Sequence, residues 1–135
     1  MYHSTNQTPY EFASTYLFPH LGIYNPEWTS GYLDINNGSY DLRLNLRDMV
    51  KLGQLYIQDG FSWDEQLLSK DWIIRATSRR VDKDSWGYGS IWWLSETDSY
   101  LRWGFGGQYI AVFPGYELMI GTHFEEESTK LANKI

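Results

Sequence analysis

The sequence predicts an α+β domain, with an antiparallel sheet of about three to five strands and flanking helices. Three observations predict it. Capped segments of helical period fill the first half of the chain, and strand-like runs joined by short turns follow Asp84. The length of 135 residues suits one modest domain able to bury its own core. Residues 1–135 are therefore read as a single domain. Its helical and loop part runs from about 5 to 84, its sheet part from about 85 to 124, and a polar tail from 125 to 135.

Thr8 to Phe18 reads as a short helix, with Thr8 as N-cap, Pro9 as first helical residue and Glu11 as capping-box partner. Tyr10, Phe12, Ala13, Tyr16 and Leu17 supply its apolar stripe, and Pro19 ends it. Residues 19–42 are rich in Gly, Pro, Asn, Ser and Asp, with isolated aromatics at Tyr24, Trp28, Tyr32 and Tyr40. So long a loop in a compact domain is functional or disordered, and the aromatics favour an ordered loop that covers something.

Asn45 caps a second helix, Leu46 to about Gln58, whose Leu46, Met49, Val50, Leu52, Leu55 and Tyr56 recur at helical period. Ser69 caps a third, Lys70 to Thr77, expected to turn Trp72, Ile73 and Ile74 inward. Strand patterns then run over Trp86 to Leu94, Tyr100 to Trp103, Gln108 to Phe113 and Leu118 to Phe124. Links as short as Glu96-Thr97-Asp98 and Pro114-Gly115 require antiparallel neighbours. Gly104, Gly106 and Gly107 interrupt this region, marking either a place where a ligand meets the backbone or one of tight sheet packing.

Composition excludes several classes. Hydrophobic residues at 42% and aromatics at 18% rule out intrinsic disorder. Seven Trp and eleven Tyr exceed what such a core needs, so some are expected to line a pocket, groove or interface while most serve the core. Eleven basic against 17 acidic residues give a net charge of −6, which argues against a nucleic-acid partner. The basic run Arg75 to Arg80 is read as a solvated helix end. Without cysteine there is no disulfide, thiol catalysis or thiolate metal site. His3, His20 and His123 lack ligand spacing, so neither metal nor cofactor is expected. No apolar run reaches membrane-spanning length, and the N-terminus does not read as a signal peptide. Localisation is left open.

Catalytic motifs are also missing. No Gly-x-Ser-x-Gly elbow, P-loop or dinucleotide fingerprint occurs, and Gly104-Phe-Gly-Gly107 opens no helix. No serine has a lysine three positions later, which excludes the Ser-x-x-Lys nucleophile and base.

Yet the chain resembles the superfamily that uses that motif. Tyr10-Glu-Phe-Ala13 with Tyr16-Leu-Phe-Pro-His-Leu-Gly-Ile23 is similar to the segment after the second catalytic motif in class C β-lactamase-related serine hydrolases. Leu42-Arg-Leu-Asn-Leu-Arg-Asp-Met-Val-Lys-Leu-Gly-Gln-Leu-Tyr56 resembles their L-R-x-T-x-R-D-M-x-K-x-G-x-L-Y helix, and Gln66-Leu-Leu-Ser-Lys-Asp-Trp72 their L-S-x-x-W helix. Trp86-Gly-Tyr-Gly-Ser-Ile-Trp-Trp93 resembles the Y-G-Y-x-W-W strand. Gly104-Phe-Gly-Gly-Gln-Tyr-Ile-Ala-Val-Phe-Pro114 is similar to the G-x-G-G-Q-x-I-x-V-x-P strand pair, in the form closest to 6-aminohexanoate-dimer hydrolases. The resemblance covers about residues 5 to 124, in family order.

The resemblance implies part of a β-lactamase/transpeptidase-like fold, the C-terminal portion, beginning after the family's second motif. Tyr2-His3-Ser4 lies too close to the following segment to be that motif. The third motif, Lys-Thr-Gly in the family, falls on Arg102-Trp103-Gly104, and the implied cleft remnant is Arg102, Trp103, Gly104, Phe105, Gly106, Gly107 and Gln108. By carry-over, Arg102 takes the place of the lysine that faces a substrate carboxylate, and the Phe105 N–H that of an oxyanion donor. Trp103 departs from the family's small hydroxylic residue. Arg102 also reads as an exposed strand charge.

The implied function is therefore a catalytically incomplete serine hydrolase domain acting in the family on amides or esters, inactive alone. A small amide, ester or peptide is its expected ligand. Its expected partner is a second copy or a complementary N-terminal chain, because the rest of the family's sheet would otherwise be uncovered. Two alternatives stand beside this: half of a split hydrolase completed by a partner, or an aromatic-rich glycan or peptide-binding module using Trp92 and Trp103.

Overall fold

Side-chain caps start the helices at the residues expected. Thr8 accepts from Glu11 N–H ahead of α2 (Pro9–Tyr16), while Glu11 accepts in return from Thr8, completing a capping box. Asn45 accepts from Asp48 N–H ahead of α3 (Leu46–Ile57), and Ser69 from Trp72 N–H ahead of α4 (Lys70–Ala76). A single turn, α1 (Tyr2–Thr5), precedes them. The computed structural model describes residues 2–123 except Asp84 and Phe105, and leaves aside the side chains of Tyr2, His3, Tyr32 and Lys83. The polar tail and the end of the last expected strand lie outside the described residues.

Two small ribbons accompany the helices. One pairs β1 (Glu27–Trp28) with β2 (Leu42–Arg43), and the other pairs β3 (Phe61–Ser62) with β4 (Glu65–Gln66). The expected long loop is thus partly paired and carries 3-10 turns at Pro19–Leu21 and Tyr32–Asp34. It is pinned by a buried amide. Asn36 donates to the Trp28 carbonyl at 2.8 Å and accepts from Tyr10 N–H at 3.0 Å, tying the loop to the start of α2.

The main sheet has six strands: β5 (Val81–Lys83), β6 (Trp86–Tyr88), β7 (Trp93–Leu94), β8 (Tyr100–Trp103), β9 (Tyr109–Phe113) and β10 (Leu118–Thr122). They lie in chain order, each antiparallel to the next, with β5 and β10 at the edges. The architecture is the expected α+β, with two corrections to its strands. The run Trp86 to Leu94 is two strands, because the chain turns at Gly89, whose N–H donates to the Trp92 carbonyl at 2.9 Å. The extra strand β5 forms just beyond the basic run, where Arg79 bonds Asp82 at 2.9 Å. Ile74 is also corrected: it faces solvent, while Ile73 and Ala76 of α4 are buried.

The core lies between one face of this sheet and the helices. Tyr56, Ile73, Ala76, Trp92, Leu94, Tyr100, Ile110 and Val112 form its main cluster. A second cluster, Ala13, Phe18, Leu21, Ile23 and Leu55, joins α2 and the following turn to α3. Two glycines let α3 lie close to the sheet. A Cβ on Gly53 would meet Ile110 and Val112 at 3.1 and 3.2 Å, and one on Gly121 would meet Val50 at 2.6 Å.

Candidate functional site

The glycine-rich run makes the turn between β8 and β9. Gly104 N–H donates to the Gln108 carbonyl at 2.8 Å, and Gly107 N–H to the Gly104 carbonyl at 3.1 Å. Gly107 sits at φ 79°, in the left-handed region that glycine tolerates. The Gln108 amide folds against Gly104 and Gly106, where Cβ atoms would stand 2.7 and 2.6 Å from it. Thr122 at the end of β10 donates to the Gly107 carbonyl at 3.4 Å. The tightest contacts of Gly104 and Gly106 are thus with the far end of one flexible side chain.

The described residues of the expected cleft lie at one hairpin end, with two qualities the sequence does not convey. Arg102 pairs with Ile110, so it belongs to the face that carries the helices, and its guanidinium donates to the Ile91 carbonyl at 3.2 Å. Trp103 belongs to the opposite face, where it stacks on Trp93 with ring centroids 4.7 Å apart and planes at 2°. The two adjacent residues thus serve different surfaces. Phe105, assigned the oxyanion donor, lies outside the described residues.

Trp103 opens onto a feature that sequence reading missed. Cross-strand partners share a face, and the pairing register places Val81, Trp86, Tyr88, Trp93, Leu101, Trp103, Tyr109, Ala111, Phe113, Leu118 and Ile120 together on the outer face. Trp86 packs edge-on against Trp103, and Tyr88 against Trp93. None of these residues is buried. The signal was present as period-two alternation in β8, β9 and β10. The same register moves Trp92 out of consideration as a binding residue: at 2% exposure it is core, edge-on to Tyr56 and Tyr100.

Two clefts are distinct from the hairpin end. One of about 550 Å³ is lined by His20, Tyr24, Lys51, Trp63, Asp64 and Glu65 among others. Another of about 400 Å³ lies beside Arg79, Ser95, Ser99 and Tyr100. Burial, reinforced by neighbouring Tyr56 and Asp59, raises the Tyr100 phenol well above the usual tyrosine range. Among the described residues, no group of three His, Asp or Glu side chains converges as a metal site, and no helix is long and apolar enough to cross a membrane.

No family model matches the chain, and no curated protein does. A solved structure from Bacillus anthracis, provisionally named a 6-aminohexanoate-dimer hydrolase, superimposes with a TM-score of 0.76 at 21% identity. The fold is a partial β-lactamase-like one. The alignment covers 96% of this chain and 37% of that one, so the chain spans little more than a third of that protein's length. At this identity the likeness is one of fold.

Proposed function

We propose that this chain is the C-terminal part of a β-lactamase-like serine hydrolase domain, which keeps one wall of the cleft at Arg102–Gln108 and is inactive alone. The observation that carries this reading is a conjunction. The β-lactamase-like fold is accompanied by family-ordered segments, yet no serine has a lysine one helical turn on. Without an activated nucleophile, acyl transfer has no attacking group. Arg102 is then a positive group at the cleft edge for the carboxylate of an amide, ester or peptide ligand. The test is an assay of the purified chain on a chromogenic ester and a chromogenic lactam. The expected result is no turnover above buffer; a burst of one acyl group per chain overturns the reading.

A second reading, half of a split hydrolase, is favoured by an outer sheet face that no described helix covers and by an edge of β10 that pairs with no described strand. An apolar sheet face and a free edge are surfaces that folded proteins cover. Here the partner is a complementary chain bearing Ser-x-x-Lys, and mixing the two produces ester hydrolysis that neither shows separately. A complex that forms without hydrolysis restores the first reading.

A further inference from the structure

The hairpin β3–β4 carries an unusual residue at its tip. Trp63 is 91% exposed and sits at φ 53°, in the left-handed region that favours glycine. Tyr24, 81% exposed, lines the same cleft of about 550 Å³. Scattered exposed aromatics are ordinary, but two lining one cleft of ligand size are not. Neither the Trp63 indole N–H nor the Tyr24 hydroxyl has a partner among the described residues.

The cleft is held open by a fixed frame. Ser62 Oγ donates to the His20 carbonyl at 2.7 Å, and His20 Nδ1 meets Glu65 Oε2 at 2.6 Å. These contacts clamp the hairpin to the turn at Pro19–Leu21. On the floor, Lys51 Nζ is spent on Asp48 Oδ1 and the Gly22 carbonyl, both at 2.6 Å. Such a frame lowers the ordering cost of binding.

Charge selects the guest. The charges of the lining are mostly matched: Lys51 is bonded to Asp48 and Glu65 to His20, which leaves Asp64 to oppose an anion. What fits is an uncharged molecule with a flat apolar face and a rim of hydroxyls. Asp64, which has no side-chain partner among the described residues, accepts from such hydroxyls, and the Trp63 N–H at the ring edge donates to a hydroxyl at the rim. We propose that the Tyr24–Trp63 cleft binds an uncharged carbohydrate, with a pyranose ring lying against Trp63. No described residue from Arg102 to Gln108 lines this cleft, so the proposal and the hydrolase reading fail separately.

The experiment titrates the full chain with cellotetraose, maltotetraose and chitotetraose as neutral probes, and with choline and inorganic phosphate as charged ones. Indole N–H resonances are followed by ¹H–¹⁵N NMR, with that of Trp63 assigned by its loss in Trp63→Phe. At least one tetrasaccharide is expected to move the Trp63 signal. Trp63→Ala and Tyr24→Ala should each weaken that binding about tenfold or more, whereas Tyr116→Ala, an exposed aromatic outside the cleft, should not. Circular dichroism checks that the variants fold, and the exposure of both side chains makes two independent failures unexpected. The proposal is overturned if no saccharide moves Trp63 at millimolar concentration, if both alanine variants bind unchanged, or if choline or phosphate binds there instead.

Discussion

The two faces of the six-stranded sheet come from alternate residues of the same strands, yet described helices fill only one. In β9, Ile110 and Val112 are 6% and 0% exposed against α3, while Tyr109, Ala111 and Phe113 between them are only half-buried. The inner face has its helix brought close by Gly53 and Gly121. The outer face has three tryptophans stacked or edge-on to one another, with no described helix over them. Strands apolar on both faces belong to sheets covered on both sides. The difference teaches that burial here follows the layer available to each face, because the hydrophobicity of the two is similar.

The largest expected effect breaks the comparison on its inner side. Trp92→Ala empties a fully buried position between Tyr56 and Tyr100 and should cost about 3–5 kcal/mol in chemical denaturation. Trp103→Ala, on the outer face, should cost about 1–3 kcal/mol, the worth of its two aromatic pairs with Trp93 and Trp86. Equal costs would mean that the outer face is packed as tightly as the inner. The Trp92 indole N–H has no hydrogen-bond partner among the described residues, so Trp92→Phe, which deletes it, should cost markedly less than alanine.

A smaller effect tests what the outer face is for. β10 is an edge strand without a charged residue, and Ile120 stands on its outer face at 46% exposure. If the partner expected for that face is a second copy, Ile120→Lys shifts the chain toward monomer in sedimentation analysis while changing unfolding stability by less than about 0.5 kcal/mol. A wild-type chain already monomeric at high concentration would count against self-association and leave the complementary chain as the partner to test.

Much of the inner layer was legible in the sequence because its signals are local. Thr8, Asn45 and Ser69 cap the helices they introduce, and the stripe Leu52, Leu55, Tyr56 marks the face of α3 that packs. The outer layer was harder to read. From Trp86 to Leu94 apolar residues occupy both faces, so alternation could not locate the turn at Gly89, and one strand was expected where two occur. Of the site, Arg102 to Gln108 are neighbours by sequence alone, and only the register shows Arg102 and Trp103 serving opposite faces. The Tyr24–Trp63 cleft joins segments far apart in sequence that share no motif, so nothing local announced it.

The smallest expected effect is an alkaline one, and it sharpens the inner face from within. Tyr100 is buried beside Trp92 and Tyr56, and burial raises its phenol above the ordinary tyrosine value of about 10. An unfolded chain gives up that proton near pH 10, whereas the folded one still holds it. Unfolding therefore releases a proton above that pH. The resulting stability is fully present below about pH 10 and is lost as pH rises through the folded-state value. Tyr100→Phe cannot ionise, so its unfolding free energy should decline less between about pH 10 and 11 than that of the wild type. The comparison is of slopes, read from denaturant midpoints at several pH values, so any constant packing cost of the substitution drops out. Parallel slopes would show that water reaches the Tyr100 hydroxyl, and that this end of the inner face is open as the outer one is.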